Sequence, residues 1–161
     1  MVGAYIKYKF FLHIKTYLTN NLKVYKCKKE KQTFLGDNYI DFANNILDFS
    51  TKIEPMLKSI NPEEATKTSI VLPFFQLLGY DVFNPLEFIP EYTADTGTKK
   101  GEKIDYAIVQ PQNPLMIIEV KPANVELNSK HLNQQFRYFM VTKARFGILT
   151  NGIVYKFYSD I

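Results

Sequence analysis

Apolar residues recur every three or four positions over two stretches of the chain, and this spacing predicts two helices. The first covers 37–60, where Pro55 either starts a new segment or kinks the helix. The second begins at Asn61, the expected N-cap, followed by a proline and two glutamates in the first turn. It ends at Gly79, a residue suited to the position after a helix, and Pro73 within it is expected to bend it.

The pattern then changes to short apolar runs that are typical of strands. A short strand is predicted over 88–92, followed by a polar loop over 93–101. Two further strands, 103–109 and 115–120, are separated by the turn 110–114, and the second has the near-continuous hydrophobicity of a strand buried on both faces.

The last third of the chain predicts a helix over 129–142 and then two strands, 146–149 and 153–158. Asn151-Gly152 lies between these strands and is a strong hairpin signal. The order of elements indicates a mixed α/β or α+β domain, with a mixed central β-sheet flanked by helices.

Composition narrows the class of protein. The chain has 161 residues, of which 46% are hydrophobic, including 11 tyrosines and 13 phenylalanines, so one ordered domain is expected. One cysteine cannot form an intrachain disulfide, and with two histidines it argues against a zinc site. No stretch is long and apolar enough for a membrane span or a signal peptide. We therefore expect a cytoplasmic protein with no membrane partner.

The charge divides unevenly along the chain. Residues 1–36 hold eight lysines and one glutamate, a net charge of +7, whereas residues 37–161 carry 12 basic and 15 acidic side chains, a net charge of −3. This division predicts a basic N-terminal arm, 1–36, and one domain, 37–161. The arm could be a strand pair, a nucleic-acid-binding extension, a membrane-surface segment or a solvated lysine run.

Ionisable residues interrupt the most hydrophobic predicted strand. Glu119 and Lys121 are two positions apart, so both side chains leave the same face, roughly 6.5 to 7 Å apart, while Ile118 and Val120 face apolar packing. Charges at the end of a core strand cost several kcal/mol unless they are paired or bind a metal. A functional role for the two residues is therefore expected.

Asp105 is the counterpart of these residues on the preceding strand. If the two strands are antiparallel neighbours, the start of the first lies beside the end of the second, and Asp105 approaches Glu119 and Lys121. Carboxylate oxygens of this kind select Mg²⁺. From spacing alone, a surface Glu/Lys pair beside an unrelated Asp remains the alternative.

The pattern Asp105…Glu119-Val120-Lys121 resembles the motif of the PD-(D/E)xK nuclease superfamily. Its surroundings resemble the N-terminal nuclease domain of type I restriction enzyme R subunits and the related predicted type IV restriction endonucleases. The resemblance covers roughly 61–160. Its further segments are Pro62 to Lys67, Leu72-Pro73-Phe74, Leu78-Gly79-Tyr80, Phe83 to Glu87, Thr98 to Tyr106, Gln135 to Phe139 and Thr142 to Gly152.

The resemblance implies a restriction-endonuclease-like core and a Mg²⁺-dependent DNA endonuclease of a restriction, or host defence, system, with Mn²⁺ as a possible substitute. The family's glutamate from the first helix of the fold falls on Glu63, with Glu64 as the fallback. The implied catalytic residues are Glu63, Asp105, Glu119 and Lys121, and the implied metal ligands are Asp105, Glu119 and Glu63.

The family's Gln-x-x-x-Tyr motif matches Gln134 and Tyr138, which would line the site or contact the DNA backbone; a core tyrosine is the alternative for Tyr138. Further candidate phosphate contacts are basic residues whose alternative is a solvated surface charge. They are Lys99, Lys100, Lys103, Lys143 and Arg145.

Departures from the family pattern keep other functions open. Ile104 precedes Asp105 where the motif has proline, and no nucleotide-binding P-loop is present, although the family's subunits continue into a translocase motor. The expected partners are DNA and either a second copy of the chain or subunits of a larger restriction complex. The alternatives are a non-catalytic nucleic-acid-binding module and a nuclease acting on RNA or repair intermediates.

Overall fold

The computed structural model describes residues 6–9, 35–93, 103–110, 113–142 and 144–159, with the backbone alone for 6–9 and 35–40. The first helix, α1 (Leu35–Ile53), buries Ala43 and Ile46 on one face. It is followed by a 3₁₀ turn, Glu54–Met56, with Pro55 in its first positions. The predicted helix is confirmed, and Pro55 starts a new segment because its fixed φ suits a helical start.

The second predicted helix consists of three consecutive helical segments. They are α2 (Glu63–Thr66), a π-helical segment (Lys67–Val71) and α3 (Leu72–Leu77). Asn61 is not the N-cap: Pro62 takes that position with an extended backbone, φ −69° and ψ 148°, and no side chain caps the helix. Gly79 follows the helix with φ 94°, as predicted.

The π-helical segment accommodates the proline within this helix. The Leu72 N–H donates to the Lys67 carbonyl, five residues back instead of four. Pro73 follows directly, and proline lacks an N–H and crowds the turn that precedes it. The helix therefore accommodates Pro73 by widening one turn, and not by the simple bend that the sequence predicts.

Within the described residues, six strands form one mixed sheet in the order β1-β6-β5-β4-β3-β2. Only β4 and β5 are parallel; the other neighbours are antiparallel. Helix α4 (Ser129–Val141) lies between β4 and β5 in the chain. The strands are β1 (Ile6–Lys9), β2 (Phe88–Thr93), β3 (Lys103–Gln110), β4 (Asn113–Val120), β5 (Phe146–Thr150) and β6 (Val154–Ser159). The predicted mixed α/β fold is confirmed.

The arm and the polar loop are described only in part. Residues 6–9 of the arm form β1, which pairs with β6 at one edge of the sheet, while 10–34 lie outside the described residues. The loop predicted over 93–101 lies outside them as well, except for Thr93, which ends β2. Among the helices that the structure describes, none combines the length and hydropathy needed to cross a bilayer.

Apolar side chains cover both faces of the central strands. On one face, Val71, Phe74 and Phe75 of the second helix pack against Ile118 and Val120. On the other, Tyr138 of α4 packs in a cluster with residues of β3 and β4. This two-sided burial confirms that β4 is a core strand, and it makes the charged residues at its end exceptional.

Candidate active site

The register of β3 and β4 brings the predicted acidic residues together. The strands are antiparallel, with Tyr106 opposite Ile118 and Ala107 opposite Ile117. Just beyond these pairs, Asp105 accepts a hydrogen bond from the backbone of Val120, and its charge acts on the neighbouring Glu119. The juxtaposition predicted from the two strands and their short turn is therefore confirmed.

Glu119 is a buried carboxylate with one oxygen free. Its residue is 3% exposed, and Oε1 accepts a hydrogen bond from Lys121 Nζ at 2.6 Å. The other oxygen, Oε2, is buried and has no hydrogen-bond partner. Burial and the nearby negative charge of Asp105 raise the pKa of Glu119 to about 7, against the opposing effect of Lys121.

Asp105 is fixed on both sides. Its Oδ2 accepts the backbone N–H of Val120 at 2.7 Å, and its Oδ1 pairs with Lys67 Nζ at 2.6 Å. The first bond ties the start of β3 to the end of β4 just beyond their last paired residues. The orientation of this carboxylate is therefore set by the backbone before any ligand arrives.

Glu63 and Glu64 reach the site from the first turn of α2. Glu63 Oε1 lies 3.1 Å from Lys67 Nζ, and its negative charge contributes to the pKa shifts of Glu119 and Lys121. Glu64 also pairs with Lys67, at 2.8 Å, but its side chain is 77% exposed against 34% for Glu63. The more enclosed Glu63 faces the cluster better than the fallback Glu64.

Lys67 is the residue of this cluster to which the sequence assigned no role. Its side chain is 12% exposed and its ammonium contacts Asp105, Glu63 and Glu64. Burial disfavours the charged form, but these carboxylates outweigh it and raise the pKa of Lys67 above its usual value. Spacings of three and four from the two glutamates could have signalled their ion pairs, whereas the contact with Asp105 has no local signal.

A buried threonine locks the second helix against the site. Thr66 is fully buried, and its Oγ1 accepts the backbone N–H of Ala123 at 2.9 Å. Ala123 is two residues beyond Lys121, whose own N–H donates to the Thr150 carbonyl of β5 at 2.8 Å. The segment after β4 is thus held on one side by the helix and on the other by β5.

The chemistry of the cluster fits a divalent cation. A buried carboxylate oxygen without a partner, next to a second carboxylate, is a suitable ligand for Mg²⁺, which commonly binds through one or two carboxylates and completes its shell with water and phosphate. Within the part of the chain that the structure describes, no three His, Cys, Asp or Glu side chains form a metal-holding group by themselves. The fit therefore rests on Asp105 and Glu119, with Lys67 and Lys121 interleaved.

Helix α4 contributes the predicted Gln-Tyr pair. Gln134 Nε2 donates to the Tyr138 hydroxyl at 3.1 Å, so the two side chains share a helix face. Tyr138 is only 3% exposed and packs with Ile104 and Ile117. The alternative of a core tyrosine with a hydrogen-bonded hydroxyl thus describes its environment.

The candidate phosphate contacts are only partly described. Lys103 is exposed and pairs with Glu91 at 2.5 Å, and Arg145 is exposed. Lys99, Lys100 and Lys143 lie outside the described residues.

Taken together, the fold and the site define a mixed α/β domain with a group of charged side chains at the end of a core strand. We call this group the carboxylate–lysine cluster, and it consists of Glu63, Lys67, Asp105, Glu119 and Lys121. The chain belongs to the family described as type I restriction enzyme R protein N terminus, whose family model matches residues 62–160. The matched range contains all of the residues of the cluster and excludes the basic arm. Comparison with curated proteins and with solved structures finds no significant match.

Proposed function

We propose that this chain is a Mg²⁺-dependent DNA endonuclease of the PD-(D/E)xK type with a restriction-endonuclease-like core, acting in a restriction system. The observation that carries the proposal is the arrangement at Glu119: a buried carboxylate with one oxygen on Lys121 and the other without a partner, beside Asp105. A core strand that ends in such charges is costly to fold, which supports a role in binding and chemistry.

Asp105 and Glu119 would hold the cation, with Glu63 facing it from α2; Mn²⁺ would fit the same oxygen ligands. Mg²⁺ held there would offset the negative charge that develops on the phosphate and would make an attacking water easier to ionise. The Val120 N–H keeps Asp105 in place, so little reorganisation of this carboxylate is needed when substrate binds.

Lys121 is the residue proposed to act on the attacking water. Its ammonium, held by Glu119, can donate to the water oxygen, and its positive charge favours loss of a water proton to solvent. The water oxygen then forms a bond to phosphorus while the bond to the leaving oxygen breaks, and the leaving oxygen takes a proton from a second water. Lys103, Arg145, Lys99, Lys100 and Lys143 are proposed phosphate contacts, and Gln134 would line the site.

A cleavage assay on supercoiled plasmid tests the proposal. The native chain with Mg²⁺ or Mn²⁺ should relax or linearise the plasmid, and EDTA should abolish the reaction. Lys121→Ala and Glu119→Gln should each lose about 100-fold or more in rate, the usual cost of removing one electrostatic stabiliser. Lys58→Ala, at an exposed lysine on the same chain, is the matched control and should cleave like the native chain.

The outcomes separate the candidate functions. Cleavage that survives both site substitutions would place the activity elsewhere. A chain that is inert in every form but still binds DNA would be a non-catalytic nucleic-acid-binding module. Preference for a single-stranded RNA substrate over plasmid would redirect the proposal to RNA, and activity that needs an added subunit would indicate a component of a larger restriction complex.

A further inference from the structure

The ammonium of Lys67 occupies a position between three carboxylates. Its Nζ lies 2.6 Å from Asp105 Oδ1, 2.8 Å from Glu64 Oε1 and 3.1 Å from Glu63 Oε1. The shortest of these contacts joins two elements that are far apart in sequence, since Lys67 lies in the second helix and Asp105 in β3. One positive charge therefore offsets part of the negative charge of an acidic cluster built from a helix and a strand.

The local structure fixes the base of this side chain. Lys67 is the first residue of the π-helical segment and directly follows Thr66, whose hydroxyl is bonded to the backbone just after β4. The helix is thus anchored next to the cluster, and Lys67 can reach Asp105 with its side chain 12% exposed. Only the flexible stem and the ammonium are free to move relative to this anchor.

Lys67 and a divalent cation compete for the same oxygens. Asp105, which the proposed function assigns to the cation, and Glu63, which would face the cation, are both ion-paired with Lys67 in this structure. Even with the dielectric constant of bulk water, a divalent cation about 6 Å from an ammonium is disfavoured by roughly tenfold in binding. The Lys67 contact with Asp105 and the binding of a cation at Asp105 therefore oppose each other.

We infer that Lys67 is a built-in counter-ion, which is paired with Asp105 and Glu63 before a divalent cation binds and leaves Asp105 when the cation arrives. Lys67 acts in this as a positioning residue that holds the carboxylates together, and its exchange with the cation sets the affinity of the site. The inference rests on the proposed function, because it takes Asp105 as a cation ligand.

Mn²⁺ titration of the full chain, without DNA, tests the inference. Lys67→Met keeps the length and volume of the stem but removes the charge, and it should bind Mn²⁺ about tenfold more tightly than the native chain. In EDTA the same variant should unfold at a lower temperature, and Mn²⁺ should restore more of its stability than it adds to the native chain. Lys67→Arg, which keeps the charge, and the exposed-lysine control Lys58→Met should stay near the native affinity.

A second measurement uses the native chain and does not depend on a variant that folds. Acetylation of lysines by a water-soluble reagent, followed by mass spectrometry, should label Lys67 slowly in EDTA and faster in Mg²⁺, because the displaced ammonium becomes accessible. The labelling rate of Lys58 should be the same in both conditions.

Three results would overturn the inference. Equal or weaker Mn²⁺ binding by Lys67→Met, or a labelling rate of Lys67 that Mg²⁺ does not raise, would show that the ammonium stays in place; the proposed function would survive either result. Failure of every protein to bind Mn²⁺ would overturn the inference and the metal-dependent mechanism together.

Discussion

Glu119→Gln should stabilise the metal-free protein above neutral pH, although it removes a residue proposed for catalysis. The physical cause is the burial of Glu119 next to Asp105, which raises the pKa of Glu119 from its usual 4.5 to about 7. Between these two pH values the folded chain keeps a proton that the unfolded chain has released. Stability therefore falls as the pH rises from 4.5 to 7 and then stays low.

The magnitude follows from the same two pKa values. Ionising Glu119 in the folded state costs about 3 kcal/mol relative to the unfolded state, since one pH unit corresponds to about 1.4 kcal/mol. Glutamine mimics the protonated acid, so the free energy of unfolding of the variant should exceed that of the native chain by less than about 1 kcal/mol at pH 5 and by up to about 3 kcal/mol at pH 8.

Urea denaturation in EDTA at pH 5 and pH 8 measures this difference. Glu126→Gln, outside the carboxylate–lysine cluster, is the matched control and should show the pH dependence of the native chain. At pH 8, added Mg²⁺ should recover stability for the native chain and much less for Glu119→Gln, because a bound cation offsets the buried charge. If Glu119→Gln is instead less stable than the native chain at pH 8, the ion pair with Lys121 outweighs the desolvation of Glu119 and the reasoning fails.

Three further predictions concern the anchor, a turn and the arm. Thr66→Val leaves the buried N–H of Ala123 without its acceptor and should lower the free energy of unfolding by about 1 to 3 kcal/mol in urea titrations. The control Thr68→Val, at an exposed threonine of the same helix, should change the free energy of unfolding by less than about 0.5 kcal/mol. Gly152→Ala should lower the unfolding temperature measurably, since Gly152 has φ 79° and an added Cβ would lie 3.0 Å from Ile70 Cγ2. Replacing the four lysines within 26–31 by glutamine should reduce the slope of the logarithm of DNA affinity against the logarithm of salt concentration, by up to roughly 0.9 for each phosphate that is no longer neutralised. Substitution is preferable to deletion because β1 pairs with β6. An unchanged slope would show that these lysines are solvated charges.

The sequence was sufficient to predict that Asp105, Glu119 and Lys121 lie close together, because their positions depend on local geometry. Alternation along a strand puts Glu119 and Lys121 on one face, and a short turn makes β3 and β4 antiparallel neighbours, which brings Asp105 alongside. These inferences need only two adjacent strands and their connection. The predicted N-cap of the second helix was wrong by one residue. Helix-start preferences indicate which residues favour the N-cap, but they do not determine which residue adopts the extended backbone at that position.

The positions of Thr66 and Lys67 at the site depend on contacts between distant parts of the chain, and no periodicity in the sequence predicts these contacts. The sequence around Thr66 indicates only an ordinary helical threonine. Its hydrogen-bond partner Ala123 lies 57 residues later in the chain and is brought close by the fold. Lys67 reads as a helical partner of Glu63 and Glu64 until the same packing brings Asp105 to its ammonium. Because Thr66 and Lys67 are adjacent, the bond that anchors the helix also determines how far Lys67 can reach. The stability of the anchor and the affinity of the site for a cation should therefore be coupled, with Thr66→Val loosening the hold of Lys67 on Asp105 as well as lowering stability.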